Sequence, residues 1–276
     1  MIPTTADLVA RALAEDLEPL GDLTSSLLPP GAGVRASIVP RRNGVLAGRA
    51  PAMETFRQVD PAIGHEWEAS DGDTLRAGRA IARVEGPLAS VLAAERTALN
   101  FLCHLSGIAT LTRRYVDAAR PAQVRDTRKT TPALRALEKA AVRAGGGVNH
   151  RGSLSDGILV KDNHMGGLSI EEVAERARRR WPGRTVQIEC DTADQVKTAL
   201  VAGADLVLLD NMSPDQVAAC VAMVREAPRP CLVEVSGGVT LETVSAYAKA
   251  GADLIAVGAI THSAPALDIG LDLVDG

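Results

Sequence analysis

The sequence predicts an α/β protein built as a small α+β domain followed by an incomplete, about six-stranded parallel β/α barrel. Three observations carry this. Residues 34–86 alternate short apolar runs with turn residues, as in VRASIVPRRNGVLAG and HEWEASDGDTLRAGRAIARVEG, which is strand and hairpin texture. From residue 124 onward, short apolar runs that end in a polar residue alternate with helical stretches, a βα repeat that implies a parallel sheet with crossover helices. Within that repeat, AGADLVLLDN and AGADLIAVGA use one helix–strand junction twice, which favours a barrel over an open sheet. These textures divide the chain into residues 1–112 and 113–276, with the last residues free to pack back on the first domain.

The elements follow in order. Residues 4–18 place Asp7, Arg11, Glu15 and Asp16 among apolar residues at helical spacing, so the segment reads as an amphipathic helix and lacks the apolar core of a signal peptide. Helical patterns recur around 50–58 and at 88–118. The barrel strands are predicted at VRDT (124–127), ILVK (158–161), VQIE (186–189), LVLLD (206–210), CLVEVS (231–236) and LIAVG (254–258). SPDQVAACVAMVREA and TLETVSAYAKAGA lie between the later strands. Each opens on a Ser or Thr suited to an N-cap, and Pro214 suits a first helical turn.

Composition narrows the function classes. The 276 residues are enough to bury a sizeable core, and 46% hydrophobic against 23% charged is a globular balance. Aromatics at 2% leave the core to aliphatic side chains and Ala, and they leave no stacking platform for single-stranded nucleic acid. A net charge of −4 also argues against a nucleic-acid partner. No apolar run approaches the ~18 residues of a membrane span. Cys103, Cys190, Cys220 and Cys231 form no CxxC or CxxH cluster and read as buried, reduced thiols of a cytoplasmic protein. The basic residues are 25 Arg and only five Lys, so each Lys is a candidate for a task that Arg cannot do.

In parallel βα architectures the site lies beyond the C-terminal ends of the strands. Those positions hold Asp126-Thr127-Arg128-Lys129, Lys161-Asp162-Asn163-His164, Glu189, Asp210-Asn211, Ser236-Gly237-Gly238 and Gly258-Ala259. Any one is an ordinary polar strand end; all six together point to a charged site. Segment 124–151 carries seven basic residues against Asp126 and Glu138, a net +5. Arg135, Lys139 and Arg143 share one helix face, on which Arg143 reads as a solvated side chain, whereas Arg128, Lys129 and Arg151 sit at loop positions where they can converge on an anion. Gly-rich turns after the last two strands, SGGVT leading into a helix and AVGAITHS, match the phosphate site that barrels build there. Glu189 and Asp210 end adjacent strands and suit either Mg²⁺ or ribose hydroxyls beside a developing cation. Lys161 suits an ion pair or an anion, with a Schiff base as the alternative. Of the His residues, His150 and His164 lie in loops at the site; the others read as structural.

These motifs, in this order, resemble quinolinate phosphoribosyltransferases. The resemblance runs through EDLEPLGDLTS, AERTALNFLCHLSGIAT, DTRKTTPALRALEKAAVRAGGGVNHR, LVKDNH, LVLLDN, EVSGG and AVGAITHS, nearly the whole chain. It implies an N-terminal α/β sandwich domain, an incomplete β/α barrel and a homodimer in which Arg96 is lent across the interface. It further implies substrate-binding roles for Thr127, Arg128, Lys129, His150, Arg151, Lys161, Glu189 and Asp210. Phosphate loops at Ser236, Gly237 and Gly238 and at Val257, Gly258 and Ala259 follow from it too. Lys129, Lys161, Glu189 and Asp210 are the implied catalytic set. The departures are Ala133 where Gly is common, Ala141 where Tyr is usual, and the loop GSLSDG.

The implied reaction joins quinolinate to phosphoribosyl pyrophosphate in NAD biosynthesis. It yields nicotinate mononucleotide, pyrophosphate and CO₂, with Mg²⁺ on the pyrophosphate and with Glu189 and Asp210 either holding that ion or stabilising the positive charge that grows on the ribose. Two polyanionic substrates require a basic cavity, as the segment charge provides. Two other classes compete: a barrel aldolase using Lys161, and a biotinyl- or lipoyl-type carrier suggested by the hairpin DGDTLRAGRAIARVEG. A carrier needs a modifiable Lys at the hairpin tip, and the first Lys in the chain is Lys129.

Overall fold

The computed structural model describes residues 4–274. It begins with α1 (Thr5–Leu17), capped by Thr4, whose side chain accepts the Asp7 N–H while Asp7 accepts in return. Then come β1 (Gly33–Pro40), β2 (Gly44–Val45), α2 (Arg49–Val59), β3 (Gly64–Trp67), β4 (Thr74–Leu75), β5 (Ala82–Pro87) and the long α3 (Leu88–Ala118). Next are β6 (Gln123–Arg125), α4 (Arg135–Ala144), β7 (Ile158–Val160), α5 (Ile170–Arg180), β8 (Val186–Cys190), α6 (Ala193–Val201) and β9 (Leu206–Asp210). The chain closes with α7 (Pro214–Arg225), β10 (Leu232–Ser236), α8 (Val244–Lys249), β11 (Leu254–Ala256), α9 (Ala259–His262) and β12 (Ile269–Leu273).

The chain divides into two compact units. The first holds the residues through Arg113, Thr130–Gly146 and the segment from Ile260 onward. Its sheet is antiparallel in the order β12-β1-β5-β3, with a separate β2-β4 pair. The terminal strand pairs with β1 in the register Ala36↔Leu273. Segment 130–146, which the sequence textures place with the barrel, lies in this unit. The core is aliphatic around one aromatic, with Ile38, Leu46, Leu75 and Leu102 packed with Phe56. On α4, Arg143 is exposed as expected, while its face neighbour Lys139 is buried at 6% exposure, beside a fully buried Glu138. The cause is the close approach of α4 to α3: a Cβ on Gly145 would lie 2.5 Å from the Ala109 carbonyl oxygen, so only Gly fits. Glu138 accepts from the Thr131 N–H at 3.2 Å and lies 2.9 Å from His104 Nε2, which gives that His its structural role.

The second unit holds Arg114–Lys129 and Gly147–Ala259. Its six strands are parallel in the order β6-β11-β10-β9-β8-β7, the predicted incomplete barrel. β6 and β7 are its two edges, and Val148 adds a parallel bridge to Arg125 at the β6 edge. Ser169, Thr192 and Ser213 each close a capping box on α5, α6 and α7, and Pro214 occupies the first turn of α7. α8 is shorter than expected. Thr240 does not cap it; its N–H goes to Thr243 Oγ1 at 2.9 Å in a separate turn, and the helix starts at Val244.

All four cysteines are free. Burial pushes Cys190 up to about 12 and Cys231 to about 11, which makes both thiols inert. Among the described residues, no helix is long and apolar enough to cross a membrane.

Candidate active site

Strand alternation decides which side chains enter the barrel. Gln187 donates from Nε2 to Glu234 Oε2 at 2.8 Å, so both face inward. Glu234 and Glu189 are each in register with Leu208, and Asp210 lies two residues beyond it. Glu189, Asp210 and Ser236 therefore point to the same interior, at its C-terminal mouth. Arg125 reaches Glu234 Oε2 from the edge strand at 2.8 Å through Nη1.

At the end of β6, a fully buried Asp126 joins two motifs that lie apart in sequence. Its Oδ1 accepts the His150 N–H at 2.8 Å, and its Oδ2 accepts Asn149 Nδ2 at 2.5 Å. Arg125 Nη2 adds a bond to the Asn149 carbonyl at 3.2 Å. Segments DTRK and NHR are thus pinned together. Thr127 Oγ1 accepts the Lys129 N–H at 3.0 Å, while the Arg128 and Lys129 side chains remain exposed. Arg151 is half-buried and donates to the Gly157 carbonyl at 3.2 Å. Burial, and then the like charge of Arg128, hold its guanidinium below the usual arginine range. Two guanidiniums that repel each other are stabilised by an anion placed between them.

At the ends of β7 and β8, Lys161 Nζ is ion-paired with Glu189 Oε2. That contact gives Lys161 an ion-pair role. His164 Nδ1 accepts the Lys161 N–H at 3.0 Å, so this His shapes the local turn. Asp210 Oδ2 accepts from Asn211 Nδ2 at 2.6 Å. Gly237 must be Gly: its φ is +91°, and a Cβ would lie 2.2 Å from Asn211 Oδ1. Ser236, Gly237 and Gly238 form a loop that does not run directly into a helix, contrary to the expectation for SGGVT. In the last loop the Val257 N–H bonds the Arg125 carbonyl at 2.9 Å, Gly258 follows, and Ala259 opens α9. Arg96 lies in the first unit, exposed on α3.

Among the described residues, no group of three or more His, Cys, Asp or Glu forms a metal cage. Glu189 and Asp210 supply two hard oxygen donors on one side of the sheet. That set fits Mg²⁺ that keeps most of its shell as water and ligand phosphate. A cavity of about 560 Å³ is lined by Arg125, Asn149, His150 and Gln187 together with strand-start residues Gln123 and Leu254. It therefore lies at the N-terminal side of the strands, beneath the charged cluster and not at its mouth.

Sequence reasoning placed Asp126 and Glu234 inside motifs without assigning either a task. Glu234 did leave a signal, a carboxylate in the middle of the apolar strand CLVEVS, where a parallel barrel normally carries only apolar residues.

Known proteins match along nearly the whole chain. Residues 22–106 match the family described as quinolinate phosphoribosyl transferase, N-terminal domain, and residues 108–272 match its C-terminal domain. A nicotinate-nucleotide pyrophosphorylase [carboxylating] of Mycobacterium leprae is 43% identical over 274 residues, 97% of this chain and 96% of the relative. A probable enzyme of the same name from Bacillus subtilis is 42% identical, covering 92% and 88%. The solved nicotinate-nucleotide pyrophosphorylase of Francisella tularensis superposes with a TM-score of 0.93 at 36% identity, covering 98% and 96%.

Proposed function

The chain belongs to the quinolinate phosphoribosyltransferase family, and we infer from its interior charges how it runs that family's reaction. It transfers the phosphoribosyl group of phosphoribosyl pyrophosphate to quinolinate with decarboxylation, giving nicotinate mononucleotide, pyrophosphate and CO₂ in NAD biosynthesis. The observation that carries our residue assignment is the joining of DTRK and NHR by Asp126 beside the Arg128–Arg151 pair.

Arg128 and Arg151 clamp the quinolinate carboxylates, with His150 and Lys129 beside them. Arg96 arrives from the second subunit of a homodimer. Thr127 shapes the Lys129 turn. Holding two anions in one orientation is itself a large part of the catalysis. Backbone N–H groups of Ser236–Gly238 and Val257–Ala259 take the phosphate of the phosphoribosyl group. As pyrophosphate leaves, positive charge grows on the ribose. Glu189 and Asp210 stabilise that charge, and Lys161, released from Glu189, turns to the anions. The same two carboxylates would hold Mg²⁺, which would supply charge neutralisation on the pyrophosphate. The ribosylated ring nitrogen is cationic and absorbs the electron pair left by CO₂. We place the enzyme in the cytoplasm, where its free thiols stay reduced.

The test is product formation from quinolinate, phosphoribosyl pyrophosphate and Mg²⁺, with nicotinate in a parallel reaction. Nicotinate mononucleotide, pyrophosphate and CO₂ in equal amounts from quinolinate alone is the expected result. Comparable product from nicotinate, or none from either acid, contradicts the reading.

A further inference from the structure

The barrel interior contains a charged residue that the reaction described above does not use. Glu234 is fully buried at the centre of β10. Its Oε2 accepts two hydrogen bonds, from Arg125 Nη1 and Gln187 Nε2, each 2.8 Å. Its Oε1 is buried and has no hydrogen-bond partner. His150 Nε2 faces that oxygen at 3.4 Å, longer than a made hydrogen bond. The other ring nitrogen is committed: His150 Nδ1 accepts the Arg151 N–H at 2.7 Å. A neutral imidazole carries one proton, so a ring whose Nδ1 accepts must carry its proton on Nε2. That proton faces the unpaired Glu234 Oε1, which is placed as its acceptor. Burial raises the Glu234 pKa above the ordinary carboxylate range, helped by Asp126 from the next loop, while the charge and hydrogen bonds of Arg125 and Gln187 act to lower it.

We propose that Glu234 is a positioning residue of the acid-binding site: it fixes His150 in the Nε2–H tautomer, so that Nδ1 holds the Arg151 backbone and sets the guanidinium at the anion. The proposal rests on the reading of Arg151 as a quinolinate clamp. It gives His150 a role behind the clamp, through Arg151. The orphaned Oε1 is the acceptor that selects the ring proton, as a carboxylate behind an imidazole commonly does.

Glu234→Gln tests it, because the variant keeps the shape and reverses one hydrogen-bonding role. Arg125 and Gln187 both donate to the Oε2 side, so the amide oxygen must sit there. The amide NH₂ then meets His150 Nε2, donor against donor. The ring has to move its proton to Nδ1, where it opposes the Arg151 N–H. In protein labelled with ¹⁵N-histidine, the wild type should show His150 protonated at Nε2, and Glu234→Gln should show it protonated at Nδ1. The quinolinate KM should rise about tenfold, as for loss of a group that orients a ligand-binding residue. The KM for phosphoribosyl pyrophosphate should stay within about twofold. In a His150→Asn background, which keeps an acceptor near the Arg151 N–H and has no Nε2, Glu234→Gln should cost less than about twofold.

An unchanged tautomer overturns the proposal, as does the same loss in both backgrounds or a rise in both KM values. The tautomer is read without turnover. If wild-type protein does not use quinolinate, the reaction assignment fails while the histidine signal still decides the role of Glu234. Thermal unfolding of each variant identifies a loss that is only structural, which also counts against the proposal.

Discussion

The two sides of the barrel mouth are built differently. On the β6 side, Asp126, Asn149, His150, Arg125 and Glu234 are cross-bonded, largely buried and tied to backbone. On the β7–β9 side, Lys161 pairs with Glu189 and Asp210 accepts from its neighbour Asn211, with Lys161 38% exposed at the side chain. A pre-formed clamp suits a rigid planar diacid, since little conformational freedom is lost when it binds. Pairs that can exchange partners suit a substrate whose charge changes during the reaction. The comparison therefore assigns acid recognition to the tied side and charge development to the loose side.

The largest effect should come from breaking the tied side. Asp126→Ala removes the acceptors for both Asn149 and the His150 N–H. It should lower kcat/KM for quinolinate by more than about 100-fold, because misplacing a clamp by an ångström is enough for that. Steady-state kinetics measure this. Denaturant unfolding should show about 2 kcal/mol lost, since two part-buried donors lose these acceptors. Near-normal kcat/KM would mean that the two motifs hold position without Asp126.

A smaller effect is expected on the loose side. Glu189→Gln keeps the shape and removes the charge, and kcat should fall roughly tenfold, about 1.4 kcal/mol of transition-state stabilisation. The quinolinate KM should change little. If it rises while kcat holds, Glu189 belongs to acid recognition and the division between the two sides is wrong.

The smallest effect lies away from both sides. Leu134 N–H bonds the Thr131 carbonyl at 3.1 Å, closing a turn over Pro132 and Ala133, and Ala133 has φ +67°. A turn with Pro second and a left-handed third residue favours Gly there. Ala133→Gly should therefore stabilise the protein by about 1 kcal/mol, about 2–4 °C in Tm, with unchanged kinetics. A lower Tm would show that the entropy Gly adds to the unfolded chain outweighs the relieved strain.

Much of this was legible in the residues. The six strands were readable because each apolar run ends at a charge or turn signal, and the Ser213-Pro214 start of α7 because capping chemistry is local. The strand-end charges marked the mouth for the same reason. What could not be read was non-local. Lys139 shares its helix spacing with the exposed Arg143, yet it is buried because Gly145 lets α4 approach α3. Segment 130–146 follows a barrel strand in sequence but joins the other unit. Thr240 has the chemistry of a cap, yet turns back on Thr243. Glu234 looked like an intrusion in an apolar strand, and only the partners that reach it from β6, β8 and the NHR loop give it a meaning.

The most direct test of the division is Arg151→Lys, measured with both substrates varied in turn. Lys keeps the charge and loses the planar fork. The quinolinate KM should rise roughly 30-fold, about 2 kcal/mol for lost charge-assisted hydrogen bonds, while the KM for phosphoribosyl pyrophosphate stays within about twofold. Equal rises for both substrates, or a rise for phosphoribosyl pyrophosphate alone, would contradict the assignment of the tied side to the acid.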